Sequence, residues 1–171
     1  MINRYQPDLT LMHMTLPDHY RHSHGVLSEK LVDAYKYLDD MLAIVVDELK
    51  AQGLYEQTTF VFCSDHGQVD IDMSVNANKL LIENGLLTVD EEGNMTDWQA
   101  YVQSSAVSAH VYLKDPTDQE LTDKVYQLLN ENRELLYIEH IFTREQVKKT
   151  YRLDGNFTFV LEAKEGSSFG F

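Results

Sequence analysis

The amino-acid sequence predicts an α/β fold: a mostly parallel sheet flanked by helices, with a smaller β-rich insertion. Three stretches predict it. Residues 8–15 alternate and then run apolar through Leu9, Leu11, Met12 and Met14, the pattern of a buried strand. From Ser28 onward, Leu31, Tyr35, Leu38, Leu42, Val45 and Leu49 recur at steps of three and four, the period of an amphipathic helix, and Gly53 supplies its stop. Residues 58–63 (Thr-Thr-Phe-Val-Phe-Cys) form a short continuous apolar run rich in β-formers, as expected of a strand covered on both faces. Strand, helix and strand make a βαβ unit, with parallel strands and a right-handed crossover.

That topology has a chemical consequence. Parallel strands present their C-terminal ends together, and ligands of open α/β sheets bind outside those ends. Asp18 and His22 follow the first strand, whereas Asp65 and His66 follow the second. Residues 16–25, with Pro17, Gly25 and three histidines, are expected to form an irregular polar loop.

Downstream, residues 76–84 suit a short helix, and residues 86–89 and 98–103 a hairpin around Glu92-Gly93-Asn94. Residues 107–113 read as a further strand. Thr117 with Glu120 resembles a capping box opening a helix that carries Leu121, Val125, Leu128 and Leu129 on one face. A strand over 136–142, a helix over 144–151 and a last strand over 157–163 complete the reading. With no internal repeat, low-complexity tract or linker, residues 1–171 are expected to form a single domain.

Composition narrows the function classes. A chain of 171 residues that is 43% hydrophobic and 25% charged can bury the core of one domain. Its 28 acidic and 14 basic residues give a formal charge of −14, which repels a nucleic-acid polymer but suits divalent cations. The lone Cys63 rules out an intrachain disulfide and a cysteine-based zinc module. No stretch approaches the roughly 20 apolar residues of a membrane span, and residues 1–5 carry no signal-peptide pattern, so a soluble, cytoplasmic protein is expected.

Two clusters carry chemistry. In the first, Pro17-Asp18-His19-Tyr20-Arg21-His22-Ser23-His24-Gly25, Asp18 and His22 stand four apart and can close on one ion; carboxylate oxygen and imidazole nitrogen are donors that zinc and manganese accept. Alone, such a spacing is weak and is better read as a solvated polar loop. In the second, Ser64-Asp65-His66-Gly67 ends an apolar β-run, and Gly67 supplies the permissive backbone of a sharp turn. Its plainer reading is an Asp cap beside a surface histidine, and the pairing of the two clusters tips the balance toward a metal site.

These motifs, together with Pro7-Asp8-Leu9-Thr10-Leu11, resemble the nucleotide pyrophosphatase/phosphodiesterase (type I phosphodiesterase) branch of the alkaline phosphatase superfamily. The resemblance spans about residues 7–67 and implies that this chain is part of a larger alkaline-phosphatase-like catalytic domain. It implies two divalent ions, zinc or manganese, with Asp18 and His22 on one and Asp65 and His66 on the other. It also implies hydrolysis of a small anionic phosphate ester or nucleotide through a covalent phosphothreonine. The family's nucleophilic threonine and another metal-binding aspartate have no matching positions here, so no catalytic nucleophile is assigned, and the chain by itself is expected to be an inactive fragment needing the remainder of its domain. Arg21 stands where the family usually has a small residue, and Val26 where proline commonly follows the glycine. His110 is the one late candidate for the family's last histidine ligand, but its apolar strand setting suits a structural role.

His19 and His24 flank the ligand motif and are candidates for contact with substrate or with the ligands, or are plain loop histidines. His13 and Tyr35 are expected to be packed. Trp98, Tyr101 and Tyr112 suit either base stacking or cross-strand pairing. Two other functions remain open: a phosphomonoesterase, sulfatase or phosphoglycerate-mutase-like member of the same superfamily, and a noncatalytic metal-binding or interaction module.

Overall fold

The computed structural model describes residues 2–170. The chain forms two compact units, Met1–Asp70 and Ile71–Phe171.

The first unit is helical, with no strand among its described residues. A short helix α1 (Ile2–Tyr5) precedes α2 (Leu16–His24) and the long α3 (Leu31–Ala51), and a 3-10 turn follows at Tyr55–Gln57. The helix expected from Ser28 thus begins one turn later and stops where Gly53 predicts. Gly53 takes φ +69°; its N–H donates to the Lys50 carbonyl and that of Leu54 to the Leu49 carbonyl. This is a Schellman closure, which satisfies the last carbonyls of the helix. Pro17 and Gly25, taken from sequence as loop signals, are instead the start and stop of α2. Proline is preorganised for a first helical turn, and Gly25 at φ +90° ends the helix with its N–H on the Arg21 carbonyl.

The two strands of the expected βαβ unit do not form. Residues 8–15 and 58–63 run outside any ladder, and Leu9, Leu11, Val61 and Phe62 are exposed. Alternation and β-propensity say which face a strand would bury, but its backbone groups must be paired by a neighbour, and no described segment supplies one. Among the first unit's described residues, the buried apolar side chains are Leu31, Ala34 and Leu49.

The second unit carries the larger core. Its main sheet has the order β4 (Ala100–Ser105), β5 (Ser108–Leu113), β7 (Phe159–Ala163), β6 (Ile138–Thr143), and every pairing is antiparallel. Helix α5 (Gln119–Glu131) contributes Val125 and Leu129 to one buried cluster with Val111, Ile138 and Leu161. Helix α6 (Arg144–Tyr151) places Val147 against Phe157 and Val160 in a smaller cluster. A short α4 (Asn78–Glu83) precedes an antiparallel hairpin of β2 (Leu87–Val89) and β3 (Met95–Trp98). Among the described residues the parallel pair is β1 (Met73–Val75) with β8 (Ser167–Phe169). The class is therefore mixed α/β, and the mostly parallel sheet expected from sequence is replaced by an antiparallel one.

Cap assignments shift as well. Asp118, not Thr117, caps α5 by accepting from the Leu121 N–H, while the Thr117 hydroxyl turns back to Asp115. The reciprocal capping box is at Thr143 and Gln146, opening α6. Among the described residues no helix is long and apolar enough to cross a membrane.

Candidate functional site

Helix α2 sets the first motif. With 3.6 residues per turn, positions four apart lie on one face, so Asp18 Oδ1 and His22 Nε2 come to 3.4 Å from each other. Both side chains are substantially exposed, at 46% and 71%. His19 and His24 lie on the same helix, exposed, and both pack edge-on against Tyr20.

The second motif follows the apolar run in exposed chain outside any helix or strand, with a bend at Asp65. Asp65 Oδ1 accepts from the backbone N–H of His66 at 3.1 Å, and Asp65 Oδ2 lies 3.8 Å from His66 Nε2. The Ser64 hydroxyl donates to the His66 carbonyl at 2.7 Å. His66 Nδ1 donates to the Gly67 carbonyl at 2.9 Å, the kind of backbone contact that orients a metal-binding imidazole and fixes its tautomer.

A residue that sequence reading passed over ties the motifs together. Gln68 Nε2 donates to Asp18 Oδ1 at 3.0 Å across fifty positions of chain. Two residues on, Asp70 Oδ1 accepts the Val26 N–H at 3.1 Å, just past the end of α2. The expected convergence of the two motifs on one sheet edge is thus replaced by polar side-chain contacts between the 65–70 segment and α2. Nothing in composition or spacing marks Gln68, whose contribution comes through a partner fifty positions away.

Electrostatics agree with this arrangement. The His66 pKa is raised above its ordinary value, first by the Gly67 carbonyl, then by the Asp65 carboxylate and, more weakly, by that of Asp18. The charge of one motif is therefore felt by the imidazole of the other. A cation at His66 would compete with the proton this environment favours, so its affinity would rise with pH.

The donor chemistry fits a divalent ion. Zinc bonds of about 2.1 Å at the tetrahedral angle put neighbouring donors about 3.4 Å apart, which is the Asp18–His22 separation; the 3.8 Å of Asp65–His66 requires a somewhat wider angle. Each pair nevertheless supplies two donors, and among the described residues no group of three or more His, Cys, Asp or Glu side chains converges.

Other candidates fall into structural places. His110, on β5, is half-buried with its ring 4.9 Å from that of Phe157. Tyr101 and Tyr112 are register partners whose rings stack at 4.9 Å, with Trp98 edge-on to Tyr101, an arrangement of cross-strand pairing. His13 and Tyr35, expected to be packed, are exposed. His13 lines an open, largely apolar groove of about 380 Å³ with Met12, Met14, Tyr37 and Met41. None of Asp18, His22, Asp65 and His66 lines that groove, so it says nothing about their chemistry.

No curated protein and no solved structure matches the chain. The family model described as type I phosphodiesterase / nucleotide pyrophosphatase matches residues 1–170, a span that contains both Asp-His motifs and the residues joining them, and the chain therefore belongs to that family of hydrolases.

Proposed function

We propose that the chain carries the metal-binding portion of a two-metal hydrolase that cleaves phosphodiester or nucleotide pyrophosphate bonds. Asp18 and His22 would hold one divalent ion and Asp65 and His66 a second, with zinc favoured and manganese compatible with the same donors. The observation that carries this reading is the 3.4 Å approach of a carboxylate oxygen to an imidazole nitrogen on one face of α2, within a chain of this family. Bound ions of this kind polarise the phosphoryl oxygens and stabilise the leaving oxygen of a small anionic ester or nucleotide. The protein's own share is orientation. Gln68 holds the Asp18 carboxylate, and the Gly67 carbonyl holds the His66 ring.

The reading assigns no nucleophile to this chain and expects a threonine-bearing segment, with further ligands, from the remainder of the catalytic domain. The chain alone is then catalytically silent. The test is a longer polypeptide that supplies that segment, assayed with zinc or manganese against phosphodiesters, phosphomonoesters and sulfate esters. Cleavage of the diester or pyrophosphate bond is expected, and preference for a monoester or a sulfate would move the protein to another branch of the superfamily. A polypeptide that binds two ions and cleaves none of these esters would sink the assignment.

A second reading, a noncatalytic metal-binding or interaction module, is favoured by one observation: the donors gather in twos rather than threes among the described residues. Equal zinc affinity of the native chain and Asp65→Ala would favour it.

A further inference from the structure

Arg21 stands on α2 one position before His22 and three after Asp18. The sequence resemblance gives it no role. Its Nη2 donates to Tyr35 Oη on α3 at 2.7 Å, while its Nε is buried and has no hydrogen-bond partner. Among the described residues no carboxylate forms an ion pair with it, although the chain has 28 acidic residues.

Such an arrangement is costly unless something completes it. A guanidinium keeps its charge at any physiological pH, and burying one of its donors without an acceptor forfeits the hydrogen bond that water would have made. An Arg present only to clamp α2 to α3 would be expected to meet a carboxylate in so acidic a chain. This one meets a neutral phenol. Tyr35 Oη accepts from Arg21 and still has its own O–H to donate, so the pair offers donors of one kind and no negative charge.

We propose that Arg21, supported by Tyr35, is an anion-binding residue that takes a non-bridging oxygen of the phosphate ester handled at the adjacent Asp18–His22 motif. With Nε closed off from solvent and one Nη2 N–H on Tyr35, the remaining Nη N–H groups are the donors left for a phosphoryl oxygen. Its place three residues after Asp18 puts a fixed positive charge on the helix that carries that carboxylate, where an anionic substrate would otherwise meet repulsion. The inference rests on the proposed hydrolase reading for the identity of the ester, but not for the anion site itself.

The experiment is calorimetric titration of the full chain with inorganic phosphate and, separately, with dimethyl phosphate, each with and without saturating zinc, together with a zinc titration of every variant. Arg21→Ala is expected to weaken binding of both anions about tenfold or more, as loss of a charge-assisted hydrogen bond does, and to leave zinc affinity unchanged. Arg21→Lys should recover part of the loss, because it restores charge without the fork, and Tyr35→Phe should weaken binding about threefold. Should Arg21→Ala fail to fold, Arg21→Lys and Tyr35→Phe decide the matter by the same readout. Wild-type anion affinity in the variants, or no anion binding by the native chain, overturns the inference even if zinc binds. Anion binding that depends on Arg21 in a chain that binds no zinc would uphold it and overturn the two-metal reading instead.

Discussion

Gln68 Nε2 donates to Asp18 Oδ1 at 3.0 Å, joining the segment after the Ser-Asp-His-Gly motif to the helix that carries the other Asp-His pair. A carboxylate held in this way keeps one orientation before any ion arrives. Partners that orient metal-binding side chains typically contribute about 10- to 100-fold to affinity. Gln68→Ala is therefore expected to weaken zinc binding at Asp18 and His22 about tenfold, while the ion at Asp65 and His66 changes less. Competition with a chromophoric chelator measures both affinities; an unchanged value at the first site would remove Gln68 from the account.

The two units should respond differently to loss of an apolar side chain. Leu161 is fully buried on β7 within the main cluster, whereas Leu11 is 86% exposed. Leu161→Ala should cost about 2–5 kcal/mol of unfolding free energy, transfer and cavity contributions together, and Leu11→Ala within about 0.5 kcal/mol. Urea denaturation followed by far-UV circular dichroism checks both. A large loss for Leu11→Ala would mean that residues 8–15 are covered in solution.

Asp154 gives a pH test of the second unit. Its carboxylate accepts from Lys148 Nζ at 2.6 Å and from Arg144 Nε at 2.7 Å, and these two contacts, in that order, hold its pKa well below the ordinary value of 3.8. A carboxyl whose folded pKa is depressed binds its proton more readily when unfolded, so it contributes stability above the unfolded value and loses it as pH falls through the folded one. The pair is exposed and salt should weaken it. Asp154→Asn is expected to lower the thermal midpoint at neutral pH by a small amount that begins to shrink below about pH 4 and keeps shrinking on further acidification. A difference between the two proteins that grows on acidification would contradict the assignment.

Much of the second unit was legible in sequence because its signals are local. Residues 144–151 and 107–113 carry complete periodicities, and both elements form as α6 and β5 within a residue. The last strand, expected over 157–163, forms as β7 from Phe159. The β1–β8 pairing was not legible: each strand has three residues, and they meet across more than ninety positions. In the first unit the candidate residues could be named, because Asp18, His22, Asp65 and His66 lie in short motifs. The way they are connected could not be read. Strand propensity at residues 58–63 needs a neighbouring chain to become a strand, and Pro17 and Gly25 punctuate a helix as readily as a loop. Arg21, Tyr35 and Gln68 escaped for a related reason, since each matters through a partner at least fourteen positions away.

The central question is whether these four side chains hold ions. Zinc titration of the native chain beside Asp18→Ala and Asp65→Ala, read by isothermal calorimetry at neutral pH, asks this directly. Two weak sites are expected in the native chain, because each offers two protein donors where zinc ordinarily takes three or four. Each variant should lose one site and keep the other. Native stoichiometry and affinity in both variants would contradict the account.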